Sequence, residues 1–274
     1  IGGYVHMLED IRDGKLKDFC FNAFLVNDPT QHEFVPDDVK GVRTQKSLDE
    51  KLKCVYNYKE DDSKNLLDLI DEVGVRRTEA FAKNYLKSPK ITILSPTKDY
   101  YESLLPKFRN RLKFNWNNEA LEENKYSEDK DISDKDSLSK TLDEAKDDGS
   151  AHNQSSIVFM LETDDGKKYL FTGDAGRDAF EHVPQDLLSS FKGVDWMKVP
   201  HHGSKHNLDS QIIKHVNPKV AYISTEKQGT YLSLCTVFAL KKNNTKVYST
   251  SQNRSSIRHG AIEKREGWNP MDPM

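Results

Sequence analysis

Apolar positions along the chain fall in short bursts whose internal spacing switches between helical and extended. Tyr4, Met7, Leu8 and Ile11 share one face of a helix predicted over 1–13, entered through Gly2-Gly3 and ended at Gly14. Residues 17–27, with Phe19, Phe21, Phe24, Leu25 and Val26, read as a buried strand turned at Pro29. A weak helix is predicted from 47 to 52 and a better one over 65–73, where Leu66, Leu69, Ile70 and Val73 recur. Helix resumes over 78–86 after a break near Gly74, a short strand over 90–94 stops at Ser95-Pro96, and 99–111 returns to helix.

From 115 to 150 this patterning dissolves. Asp, Glu, Lys and Ser dominate, with Leu121, Ile132, Leu138 and Leu142 scattered among them. That composition predicts a charged, flexible insertion with one exposed helix near 135–146, and it suggests no chemistry there. Order then returns. A strand over 156–162, a turn at Asp164-Asp165-Gly166 and a return strand over 169–172 lead to Gly173-Asp174. A helix over 180–191, a strand over 194–199 and a helix over 208–216 ended by Pro218 follow. Strands over 220–224 and 246–249 flank a helix over 234–241, and 254–274 is a polar tail. Short buried strands alternating with helices predict an α/β or α+β fold, read as a single domain over 1–274.

Composition narrows the function classes. The 274 residues carry 41 basic against 44 acidic groups, a net charge of −3, so the whole chain has no bulk attraction for nucleic acid. Cys20, Cys54 and Cys235 form no Cys-x-x-Cys, which excludes a disulfide framework or zinc finger and predicts a reducing, cytoplasmic setting. No apolar run approaches the roughly 18 residues of a transmembrane helix, so no membrane partner is expected. The chain starts at Ile1-Gly2-Gly3 without an initiator methionine, as a segment of something longer would.

Candidate chemistry gathers at three places. His201-His202 follows an apolar run (Val194, Trp196, Met197, Val199) and precedes Gly203-Ser204. Two imidazoles at a strand end suit metal ligation or acid–base work. Because successive strand residues point to opposite sides, one of the pair is expected to face a metal and the other a substrate or a ligand. Asp174 follows a strand through a glycine that permits a sharp turn, and a carboxylate there is costly unless paired or metal-bound; a plain turn is the alternative. His152 precedes the hairpin by 22 positions (174 − 152), and a hairpin of that length brings it back toward Asp174. Taken alone, it also reads as the end of the charged segment.

These residues resemble a known family. Asn153-Gln154-Ser155-Ser156-Ile157-Val158, Leu170-Phe171-Thr172-Gly173-Asp174 and Met197-Lys198-Val199-Pro200-His201-His202-Gly203-Ser204 are similar, in order and spacing, to the metallo-β-lactamase superfamily. The nearest branch is that of competence DNA-uptake proteins and their soluble relatives. Residues 91–96 and 218–224 extend the resemblance over most of 1–110 and 150–250. It implies a four-layer αββα sandwich and a hydrolase using a hydroxide activated by two divalent metals, zinc or manganese before iron. His152, Asp174 and His202 are then the metal ligands, Asp174 bridging, and Asp174, His201 and His202 the catalytic set. A phosphodiester or nucleic acid is the implied substrate, giving a nuclease-like phosphodiesterase.

Two departures accompany it. The family's His-x-His-x-Asp-His loop is absent, and in relatives it lies just before an Ile-Gly-Gly helix start, so the N-terminal strands and that loop are expected upstream of Ile1. Gln228-Gly229-Thr230-Tyr231-Leu232 lacks the histidine that relatives carry in that region. The competing readings are hydrolysis of another ester, lactone or lactam at the same metals, and a degenerate binding module without catalysis.

Overall fold

In the computed structural model the described residues are 2–17, 19, 21–33, 50, 52–58, 61–87, 89–108, 135–225, 232–250, 257–258, 269–270 and 273–274. The chain packs as two compact units, Ile1–Phe81 with Lys98–Phe114, and Ala82–Thr97 with Asn115–Met274. Most of the weak helix expected over 47–52, the end of the helix expected over 99–111, the 115–134 part of the charged segment, residues 226–231 and much of the tail lie outside the described residues.

The first unit opens with helix α1 (Gly2–Arg12), closed as expected at Gly14, whose φ is +71°. Its buried stripe is Val5 and Leu8, while Tyr4 is 55% exposed, because the helix packs on α2 (Leu66–Glu72) through a cluster that includes Leu66, Leu69 and Ile70. Asn65 caps α2 by accepting the Leu67 N–H at 2.9 Å. The long strand expected over 17–27 contracts to β1 (Phe24–Leu25). The Phe19 N–H turns back to the Leu16 carbonyl at 3.3 Å, so it cannot join a ladder. In this unit follow β2 (Asn57–Tyr58), β3 (Asp61–Asn65), β4 (Arg77–Thr78), which pairs parallel with β1, and α3 (Lys98–Leu104).

The second unit is built on one seven-stranded sheet. Its strands are β5 (Tyr85–Lys87), β6 (Lys90–Ser95), β7 (Val158–Glu162), β8 (Lys168–Phe171), β9 (Trp196–Lys198), β10 (Val220–Ile223) and β11 (Lys246–Ser249), and its spatial order follows the sequence. The helix expected over 78–86 is replaced by β4, a turn and β5. Lys83, with φ +73°, donates its N–H to Ile93 O at 3.1 Å, and Asn84 O accepts from Ile93, so cross-strand pairing takes the groups a helix would need.

Strands β5 to β8 pair antiparallel and β8 to β11 parallel. Each parallel step crosses over through a helix: α6 (Arg177–Glu181), α7 (Ser210–Val216) and α8 (Leu234–Lys242). These crossovers advance in one direction, and the right-handed rule for such connections assigns the three helices to one face. Leu170, Met197, Ala221 and Val247 stand opposite one another in register and form its buried layer. On the other face Phe159, Phe171, Trp196, Tyr222 and Tyr248 form a ladder with ring centroids 4.7, 5.1, 5.4 and 5.3 Å apart.

The charged segment ends in structure. Helix α4 (Lys135–Glu144) buries Leu138 and Leu142, four residues apart, and packs on α8. The helix expected near 135–146 is therefore present but docked, since its two leucines fall on one helical face. At the far end of the chain, the Met274 N–H donates to Val247 O at 2.8 Å. Among the described residues no helix is long and apolar enough to cross a membrane.

Candidate functional site

Strand polarity brings the motifs together. Because β7 is antiparallel to both β6 and β8, its N-terminal end lies at the sheet edge where β6, β8, β9, β10 and β11 end. Helix α5 (Ala151–Gln154), the Thr172–Asp174 turn, the 200–204 turn and Ser224 all meet there. Binding groups collect at the carboxyl ends of strands in open α/β sheets for this topological reason.

The Asp174 turn is built around Gly173, whose φ is +54°. A Cβ at that position would sit 2.9 Å from Ser156 Cβ, so only glycine fits. Ser156 Oγ in turn accepts the Asp174 N–H at 3.1 Å, and the Asp174 side chain is 44% exposed.

His201 and His202 depart from expectation. They lie beyond the end of β9 in consecutive left-handed conformations, with φ of 42° and 56°, followed by Gly203 at φ +87°. Strand alternation therefore does not separate them. Their ring centroids are 6.1 Å apart, and hydrogen bonds set each ring instead. Two successive left-handed non-glycine residues cost on the order of 1–3 kcal/mol each, strain of the kind that persists at functional sites. His202 Nδ1 bonds the Ser224 carbonyl oxygen. His201 Nδ1 bonds Asp148 Oδ2 at 3.0 Å, with the His201 side chain 20% and the Asp148 side chain 11% exposed. Carbonyl and carboxylate oxygens only accept, so each ring donates to its oxygen through Nδ1. For His201 the 3.0 Å Asp148 contact is closer than the 3.5 Å approach of Asn153 Nδ2 to the same nitrogen. A ring that is neutral then carries its lone pair on Nε2.

Asp148 is the residue that sequence reasoning missed. It belongs to the segment read as a solvated insertion, yet its carboxylate also accepts from Asn153 Nδ2 at 2.8 Å, Asn207 Nδ2 at 3.0 Å and the Ser150 N–H at 2.9 Å. Burial alone would raise its pKa, but the bonds from His201, Asn153, Ser150 and Asn207 outweigh it and hold the group down at about 2. The surrounding loop is fastened from several sides. Gln154 Nε2 donates to Asp148 O at 2.6 Å, and Arg177 donates to the carbonyls of Leu142, Lys205 and Leu208 at 2.7, 3.0 and 3.1 Å. The usable signals in the sequence were the Leu138/Leu142 spacing and the nearby Asn153.

Lys198 was quoted in the motif but given no role. Its ammonium donates to Gly173 O at 2.6 Å and lies 3.8 Å from Asp174 Oδ1. Burial lowers its pKa below the usual lysine range, and Asp174 opposes that shift. Fully buried Asn207 bridges onward to the Asp174 and Ala175 carbonyls at 3.1 and 3.2 Å, while its own Oδ1 has no hydrogen-bond partner among the described residues.

His152 sits on α5, capped by Ser150, and its carbonyl accepts from Ser155 Oγ at 2.8 Å. The topology thus places His152, Asp174 and His202 at one sheet edge. Among the described residues, no three His, Cys, Asp or Glu side chains are grouped to hold a metal ion. A histidine that donates from one nitrogen to an oxygen leaves the other in the form that can ligate a metal, as His201 and His202 do through Nδ1. Complete coordination needs ligands beyond those gathered here.

No family model matches the chain. Over 86 residues, 31% of its length, it is 34% identical to ComE operon protein 3 of Bacillus subtilis (strain 168). That match spans 10% of the relative's own length.

Proposed function

We propose that this chain is part of a metal-dependent hydrolase acting on phosphodiesters, with nucleic acid or a small phosphodiester as substrate. The observation that carries the reading is the convergence of Asp174, His201 and His202 at the strand-end edge, with both imidazoles oriented through Nδ1 by an oxygen acceptor. The partial similarity to ComE operon protein 3 is compatible with the branch that the motifs resemble. The fold would be a four-layer αββα sandwich. Its support is the half-buried aromatic ladder opposite the helix-covered face, a surface suited to packing a second sheet.

In this mechanism Asp174 and His202, with His152, would hold divalent ions, zinc or manganese. Such ions supply Lewis acidity toward a phosphoryl oxygen and lower the pKa of water. The chain's own contribution is orientation and proton handling. His201 can accept a proton at Nε2 while Asp148 stabilises the resulting imidazolium. The Lys198 ammonium beside Asp174 concentrates positive charge where a phosphate's charge must be met.

Metal analysis of the full-length protein, followed by a substrate panel, tests the reading. About two divalent ions per chain and turnover of bis-nitrophenyl phosphate, DNA or RNA support it; turnover only of a lactone, lactam or other ester moves the assignment to that class. A non-catalytic binding module is the second reading, favoured by Lys198, whose ammonium gives Asp174 a cationic neighbour within the protein itself. Absence of bound metal and of turnover would select it.

A further inference from the structure

We propose that Asp148 is the positioning residue of this edge: its carboxylate fixes the His201 ring with Nδ1 as donor and Nε2 as the acceptor nitrogen. The role rests on the reading of the edge as a hydrolytic site, but the arrangement can be tested without it.

The His201 backbone, at φ 42° and ψ 51°, has neither helical nor strand geometry, so no regular element dictates where its ring points. The main-chain ties at this position are the His201 N–H to Gly173 O, at 3.3 Å, and the Ser204 N–H to His201 O, at 3.1 Å, and both hold the backbone, not the ring. Orientation must therefore come from side chains. Asp148 supplies it from 53 positions earlier in the chain, at 3.0 Å.

The carboxylate could not do this if it were itself loose. Oδ2 accepts from His201, Asn153 and Asn207, and Oδ1 accepts the Ser150 N–H. Its own N–H donates to His206 O at 3.0 Å and its carbonyl accepts from Gln154. The donors besides His201 come from α5, from the loop after His202 and from Asp148's own turn, so three stretches of chain agree on where one carboxylate lies. Asn207 also joins Asp148 to the Asp174 carbonyl, which puts the two acids of the edge in one network.

A loop staple would use the same bonds to hold 145–150 in place and nothing more. Both roles need the Nδ1–H form, because a carboxylate only accepts. They part at Asp148→Asn, whose amide can donate or accept: a mere staple leaves the His201 tautomer and turnover unchanged, and a positioning residue takes both with it.

The experiment is two-bond proton–nitrogen NMR of the histidines in 15N-labelled full-length protein at pH 8, with His201→Gln assigning the signal. The wild type should show His201 as the Nδ1–H tautomer, and Asp148→Asn should convert it wholly or partly to Nε2–H. In turnover of bis-nitrophenyl phosphate, Asp148→Asn should lower kcat about 10- to 100-fold with KM little changed, the scale of losing a group that orients a ligand, and Asp148→Glu should recover part of it. A wild-type His201 in the Nε2–H form, or an unchanged tautomer in a folded Asp148→Asn protein, would overturn the proposal. If Asp148→Asn does not fold, Asp148→Glu decides: turnover lowered with the Nδ1–H form kept supports positioning, and unchanged turnover overturns it. If the wild type turns over no phosphodiester, the functional reading fails while the tautomer result stands on its own.

Discussion

Lys198 Nζ lies 2.6 Å from the carbonyl oxygen of Gly173, so a side chain from one strand end closes over the turn that ends its neighbour. The β8–β9 ladder last pairs Leu170 with Met197. Beyond that point the strands are joined by this clasp, by Thr172 Oγ1 donating to Lys198 O at 2.7 Å, and by the His201 N–H. Side-chain bonds thus take over where the sheet splays to form the site. Lys198→Met keeps the stem and removes the ammonium. It should cost about 1–2 kcal/mol in urea unfolding, the scale of lost hydrogen bonds to a charged group, and reduce turnover more than ten-fold. Unchanged stability and turnover would show that the clasp holds nothing.

Gly173→Ala should be more damaging than its size suggests. The left-handed φ and the 2.9 Å approach to Ser156 Cβ act together, for a loss of about 2–3 kcal/mol. Gly166→Ala is the control, because its φ is +76° but nothing lies within 4 Å of the new Cβ. The control should lose about 1 kcal/mol. Equal melting temperatures for the two variants would refute the packing argument.

How much of this was legible beforehand follows a physical line. The strands over 90–94 and 156–172 and those ending at His201 were readable because buried sheet strands are written as compact apolar runs. Their ends carry Asp174, His201 and His202, so half of the edge could be seen in advance. The Asp148 side was hidden, because charge density reads as solvation unless the partners are known, and these lie 53 and 59 positions away. The helix expected over 78–86 failed for a related reason: cross-strand bonds to Ile93 and Pro96 decided the backbone. Strand alternation misled on the histidine pair because left-handed residues do not alternate.

Asp148 also predicts acid behaviour. Its folded pKa is depressed from 3.8 to about 2, so its stabilisation is present above pH ~4 and is lost as pH falls through 2. The amount is about 2 kcal/mol, from roughly 1.4 kcal/mol per pKa unit. The stability gap between wild type and Asp148→Asn should therefore shrink between pH 4 and pH 2 in denaturant titrations. A gap that stays constant over that range would contradict the assignment.

In the first unit, His32 is 2% exposed at its side chain, with Nε2 2.7 Å from Glu79 Oε1 and Nδ1 3.0 Å from Glu102 Oε1. Each ring nitrogen therefore faces a carboxylate oxygen that can only accept. His32→Leu fills the space but sets two acids against an apolar group. It should destabilise by about 2–3 kcal/mol in chemical denaturation, less than a wholly buried pair because both glutamates keep some solvent contact. A neutral outcome would mean that packing against Phe81 and Tyr101, with ring centroids at 5.4 and 5.2 Å, holds the site without the charges.

The central claim is that the edge carrying Asp174, His201 and His202 hydrolyses phosphodiesters with divalent metal. Its most direct test is the initial rate of bis-nitrophenyl phosphate cleavage by full-length protein with manganese or zinc, beside Asp174→Ala and His202→Ala. The account predicts metal-dependent turnover in the wild type and a loss of at least about 100-fold in each variant. Full activity in either variant would contradict it.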